Sequence, residues 1–231
     1  MSHFCVAVIH EQDQDIEEML AQYWEGMEME PYIKYTREQA IQLVRSWKGH
    51  ENMSDDEAYK YIASDYEIDD NGNLLTTYNP QSKWDWYEIG GRWHDFLPLK
   101  NGDHANSARL CDIDFSPNKD DYEKAIRFWD VYVDGAPCDE EEAKTYWSLY
   151  NADYYRDTYG TREVYAEVMS NFATFAVVTP DGDWHEKAQM GWFGLSDATA
   201  RDELEWPRHY FDRFIKGNDP DMFMTIVDCH I

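Results

Sequence analysis

The stretch HFCVAVIH, residues 3–10, is apolar whichever way its side chains alternate: Phe4, Val6 and Val8 stand against His3, Cys5, Ala7 and Ile9. A strand with one wet face alternates apolar with polar residues, so this pattern predicts a strand covered on both faces, inside a sheet. DMFMTIVDCHI, residues 221–231, has the same character and predicts a second such strand.

The chain between them is punctuated as helices and turns. DQDIEEMLAQYWE spaces Ile16, Met19, Leu20 and Tyr23 as one helical face, with acids in its first turn where the macrodipole favours them. YTREQAIQLVRSW carries Thr36 and Gln39 at capping-box spacing before a stripe of Ala40, Leu43, Val44 and Trp47. MSDDEAYKYIASDY repeats the device with Ser54 and Glu57. IDDNGNLLTTYNP holds an Asn-Gly turn, a strong hairpin signal. DDYEKAIRFWDVY and the segment 138–170 read as helical, with Gly160 as a break. TFAVVTPDGDWHEKAQMGW reads as a hairpin around Pro-Asp-Gly, and 198–218 as a helix interrupted or started near Pro207. Strands at both ends, a late hairpin and helices between them predict an α+β fold with a mostly antiparallel sheet and a ferredoxin-like centre. Neither a repeat nor a low-complexity linker is present, and a chain of 231 residues fits one domain, 1–231, with a helical insertion around 118–170.

Lys and Arg number 20 against 47 Asp and Glu, a formal charge of −27. Nucleic-acid affinity comes mostly from cations releasing counterions, so direct binding to nucleic acid is not expected. The acids cluster in EQDQDIEE (11–18), SDDEAYKYIASDYEIDD (54–70) and DEEEAK (139–144). Such runs are solvated helix faces in most proteins. Rows of carboxylates also imitate a phosphate backbone, which would direct the chain to a basic protein or nucleoprotein complex. No segment has 18 consecutive apolar residues and no secretory signal is legible, so a cytoplasmic protein without membrane contact is expected. Cys5, Cys111, Cys138 and Cys229 are scattered, as reduced thiols are.

SKWDWYEIGGRW, residues 82–93, concentrates Lys83, Trp84, Asp85, Trp86, Tyr87, Arg92 and Trp93 around a Gly-Gly pair. If extended, it turns Lys83, Asp85 and Tyr87 to one side and Trp84, Trp86 and Glu88 to the other. One reading makes the tryptophans core, the glycines a turn and Arg92 an internal partner for carboxylates. The other makes a ligand or partner site, because concave sites combine aromatic walls with a few polar anchors and a guanidinium grips phosphate or carboxylate with two hydrogen bonds. His185, near Trp184, Trp192 and Phe193, is a further candidate for it. At the two ends, His3 and Cys5 share one strand face and Asp228 and His230 share another, with Cys229 reversed. Were these strands neighbours, His3, Cys5, Cys229 and His230 would be candidates for zinc or for an activated thiol. Buried Cys as a small apolar residue is the plainer account, and adjacent Cys229 and His230 point apart. The residues name no cofactor and no catalytic group.

MSHF, PYIKYTREQAI (31–41), NPQSKWDWYEIGGRW (79–93), EKAQMGWFG (186–194) and TIVDCHI (225–231) together resemble a set of small uncharacterised proteins encoded by bacteriophages and prophages. The likeness spans the chain in islands and is thinnest over about 100–170. It implies an accessory phage protein made in the bacterial host cytoplasm, and it carries no catalytic residue. With the charge, it leads to the expectation of an inhibitor that redirects a host nucleic-acid-handling or defence complex through an acidic, nucleic-acid-mimicking surface. The alternative is a nucleotide-binding or nucleotide-processing protein with an aromatic and arginine pocket at 83–93.

Overall fold

The computed structural model describes residues 2–191 and 195–231. The strands are β1 (His3–His10), β2 (Tyr32–Tyr35), β3 (Glu67–Ile68), β4 (Leu74–Thr76), β5 (Trp86–Ile89), β6 (Leu97–Pro98), β7 (His104–Ala105), β8 (Ser107–Arg109), β9 (Ala176–Val178), β10 (Trp184–Glu186) and β11 (Phe223–His230). The helices are α1 (Ile16–Ala21), α2 (Arg37–Arg45), α3 (Asp55–Ala63), α4 (Lys119–Phe128), α5 (Glu140–Ala143), α6 (Ala152–Tyr159), α7 (Arg162–Ser170) and α8 (Ala200–Tyr210). The chain divides into two compact units, one of residues 1–20 with 84–231, the other of residues 21–83.

The larger unit is built on a sheet in the order β10-β9-β1-β11-β5, with β8 also paired to β11. The two end strands lie at its middle, antiparallel from His3 opposite His230 to His10 opposite Phe223. The fold is α+β and its sheet is mostly antiparallel. Its centre differs from the ferredoxin-like expectation, which would flank the first strand with antiparallel neighbours: β9 runs parallel to β1. The physical reason is the connection. Parallel neighbours need a long crossover, and the helices between β1 and β9 supply one. The β9–β10 hairpin at Pro-Asp-Gly is present.

One sheet face, with Cys5, Ala7, Ile9, Val177, Met224 and Ile226, is buried under Trp206, Tyr210, Phe214 and Ile215. Thr174 ties this layer down by accepting the Trp206 indole N–H at its carbonyl, 2.8 Å, and by a 2.7 Å bond between hydroxyls with Tyr210. Helix α8 neither starts nor breaks at Pro207. A capping box of Thr199 and Asp202 sets its start, and it opens into a wider turn over Phe211–Ile215 instead. The helices of 119–170 form a second core around Trp129, Tyr155, Tyr159 and Tyr165. Gly160 ends α6 with φ +74°, as expected of it, and the chain breaks again between α5 and α6.

In the smaller unit α2 and α3 pack over a three-stranded sheet ordered β2-β4-β3. Both capping boxes are formed, and Asn71-Gly72 turns β3 into β4 with Gly72 at φ +80°. The buried stripe of α2 is Ala40, Ile41 and Val44, while Trp47 is exposed. Thr36→Ala should cost about 1 kcal/mol of stability in urea unfolding. The Ser54 hydroxyl and backbone hold the Glu57 carboxyl below its ordinary range. That contribution is complete above the unfolded carboxylate pKa of about 4.3 and is lost as pH falls through the lower folded value. Glu57→Gln should flatten this part of the pH–stability profile, measured by thermal melts over the acid range.

Candidate functional site

The pairing that puts β1 beside β11 also gathers the polar ends of three strands. Opposite residues in an antiparallel pair share a face, so His3, opposite His230, and Trp86, also opposite His230, lie together with Asp228, which faces Cys5 and Glu88. Two imidazole–carboxylate pairs result: His3 Nδ1 to Asp228 Oδ1 at 2.8 Å and His230 Nδ1 to Asp85 Oδ1 at 2.6 Å. An ionised carboxylate only accepts, so each imidazole donates from Nδ1 and turns Nε2 outward from the pair. The rings stand edge to face, 4.9 Å apart, and the Trp86 indole stacks on His230 at 5.3 Å and 16°.

Asp228 is 98% buried and satisfied from two sides. Besides His3, it accepts the Arg92 backbone N–H at Oδ2, 3.0 Å. That bond needs Gly91. A side chain there would put its Cβ 2.4 Å from the Asp228 Cβ, and φ is +50°. The Arg92 side chain leaves this turn exposed, with no ion pair among the described residues. The His230 Nε2 is buried without a hydrogen-bond partner among the described residues. Ser2, paired to Ile231 through the backbone, donates its hydroxyl to the Gly191 carbonyl at 2.9 Å. Segments from the MSHF, SKWDWYEIGGRW, EKAQMGWFG and VDCHI stretches thus meet at one end of the sheet.

The sequence treated residues 82–93 and the two ends as separate constellations, and the structure joins Asp85, Trp86 and Arg92 to His3 and His230. The predicted alternation does not hold through residue 85. The strand begins only at Trp86, and Asp85 accepts the Trp86 N–H at 2.7 Å in a bend that brings both to His230. Trp84 and Tyr87 consequently meet each other, rings 5.0 Å apart, and the Trp84 indole donates to the Leu20 carbonyl inside the core. Trp86 is not core: it is 43% exposed. Trp93 packs against the main core, and Lys83 belongs to the smaller unit, its N–H on the Tyr23 carbonyl. His185 stands on β10 against Phe214, at the far edge of the sheet from β5, four strand spacings or roughly 19 Å away. Trp192 and Phe193 lie outside the described residues.

Cys5 and Cys229 are buried on opposite faces, and burial pushes both thiols up, with Asp228 adding to it. Cys229 turns away from His230, so the activated-thiol arrangement is not formed. Among the described residues no group of three or more His, Cys, Asp or Glu could hold a metal ion. Both Nδ1 atoms are already bonded to carboxylates. A separate cleft of about 420 Å³ has an apolar wall of Leu110, Ile113, Phe115, Phe211 and Ile215 and a polar margin that includes Lys100, Asp114 and Asn218, and no motif marked it in sequence. No family model, curated protein or solved structure matches the chain.

Native protein titrated with a thiol reagent at pH 8 should react at exposed Cys138, with Cys5 and Cys229 reacting only after unfolding. Gly91→Ala should destabilise by about 1–3 kcal/mol in urea unfolding, the scale of backbone strain at such positions.

Proposed function

We propose that the end of the sheet where β1, β5 and β11 meet is a binding site for an anionic ligand carrying an aromatic ring, of the nucleotide class. The observation that carries this reading is the exposed Trp86 indole stacked on His230, in the cluster whose Asp228 also holds the Arg92 N–H, with the Arg92 side chain exposed and in no ion pair among the described residues. An indole offers a base a stacking face, and guanidinium holds phosphate through two hydrogen bonds. The reading is a binder's rather than a nucleophile's, since the thiols on the same strands, Cys5 and Cys229, are buried and burial pushes both up. On its sequence islands we place the chain among phage- and prophage-encoded accessory proteins, for which capture of a nucleotide signal is a fitting task.

A second reading, an acidic surface that occupies a basic host protein in place of nucleic acid, is favoured by the 11–18 cluster. Its five carboxylates are exposed and in no ion pair among the described residues. The other two clusters carry cations of their own: Arg37 and Arg45 pair with Asp56 and Asp55, and Arg127 with Glu142. Local neutralisation of this kind weakens an imitation of a phosphate row.

Calorimetry against nucleoside mono-, di- and triphosphates and cyclic dinucleotides tests the first reading. Wild-type protein should bind at least one class, and Trp86→Ala should weaken it by about 1–3 kcal/mol, roughly 5- to 150-fold. Arg92→Ala should do the same, with circular dichroism unchanged because both side chains are exposed. Binding of none of these ligands, or equal binding by the variants, overturns it.

A further inference from the structure

Away from the imidazole site, the helices of 119–170 carry thirteen Asp and Glu against six Lys and Arg. A groove of about 770 Å³ runs among them, its floor made by Phe128, Tyr146, Tyr165 and Met169 and its rim bearing Asp121 and Glu123. The two cations that line it are already engaged: Arg127 grips Glu142 through two nitrogens at 2.6 and 2.8 Å, and Lys124 reaches Asp121 at 3.0 Å. Tyr146 leads from the groove directly into Trp147 and Leu149, which are 75% and 74% exposed.

These two apolar side chains stand on a fixed base. Tyr132 donates its hydroxyl to the Tyr150 carbonyl at 2.7 Å, Ser148 and Tyr155 share a 2.7 Å hydroxyl bond, and the Tyr150 and Tyr154 rings stack at 4.0 Å. Large apolar side chains presented rigidly beside a groove are the composition of an interface hot spot, and folded chains seldom leave such a patch bare. The charge around them selects the occupant. An acidic rim repels nucleic acid, anionic lipid and a second copy of a chain of charge −27.

We propose that this groove and the Trp147–Leu149 ridge receive a basic amphipathic helix of another protein. Its apolar face lies on Phe128, Tyr146, Met169 and Trp147, and its Lys and Arg face the carboxylates of the rim and of α5. The proposal is independent of the nucleotide reading.

A synthetic peptide of about 18 residues, with Leu at helical i, i+3, i+4, i+7 spacing and Lys elsewhere, is the probe, and a non-periodic isomer of the same composition is its control. In calorimetry near physiological salt the periodic peptide should bind wild-type protein at least tenfold more tightly than its isomer. Trp147→Ala/Leu149→Ala and, separately, Met169→Lys should each weaken it about tenfold, as loss of a hot-spot contact does. Arg92→Ala should leave it unchanged. Equal binding of the two peptides, or of wild type and the ridge and groove variants, overturns the proposal. So does self-association of wild-type protein that the ridge variant abolishes.

Discussion

The pairing of β1 with β11 brings the two end segments of the chain into one register, and the imidazole site exists only in that register. A one-residue slip would turn every side chain of one strand to the other face. Both strands are apolar on both faces through their middles, so burial alone does not separate the correct register from its neighbours. Polar residues at the ends do. His3 meets Asp228 at one end, and at the other the buried His10 bonds through Nε2 to the Thr225 hydroxyl at 2.9 Å, which in turn meets Ser107 at 2.7 Å. A slip would bury these groups unpartnered, at about 1–3 kcal/mol for each. The groups that fix the fold are therefore in part the groups that make the site.

Charge is managed by a different rule. The carboxylates that matter to folding sit at helix starts, where backbone N–H groups and cap hydroxyls favour the ionised form: Glu57 and Asp202 are both held below their ordinary range in this way. Several of the cations lie beside an acid on a neighbouring turn, as Lys124 does with Asp121 and Lys216 with Asp212. Neutralisation is thus local, and the excess is left where acids outnumber their neighbours, on 11–18 and around the groove of 119–170. Such regions act on partners through steering and exclusion more than through the stability of the fold.

What was legible in the sequence follows from the range of the forces involved. Capping boxes at Thr36 and Ser54, the Asn71-Gly72 turn and the break at Gly160 are local chemistry, decided within a few residues, and they were readable. The doubly apolar ends were readable as interior strands because the lack of a polar face shows without knowledge of partners. The parallel placement of β9 was not, because no local residue records which neighbour a strand finds after a long crossover. Within the site, His3, Asp85, Trp86, Arg92 and His230 were visible as chemistry, but the pairing of Asp85 with His230 depends on β5 reaching β11. The bend at Asp85 also defeats the alternation that would have assigned its face. The groove of 119–170 left no motif, since its apolar lining comes from α4, α7 and the turn after α5.

Two features of the imidazole cluster are hard to explain by stability alone. A buried ring nitrogen without a partner opposes folding, and so does the backbone entropy lost in fixing Gly91 over Asp228. Register needs the His3–Asp228 pair and the Arg92 N–H needs Asp228, but neither requires a second imidazole at His230 with its Nε2 left unpartnered among the described residues. The cluster instead holds two carboxylates, two imidazoles and a glycine turn in fixed mutual geometry, and caps them with a half-exposed indole. Local departures from the most stable arrangement concentrate where a site must be preorganised for something it binds. The cleft beneath Phe211 shows no unsatisfied buried polar side-chain atom among the described residues. That contrast is the physical reason for testing the proposed ligand class at the meeting of the two end strands.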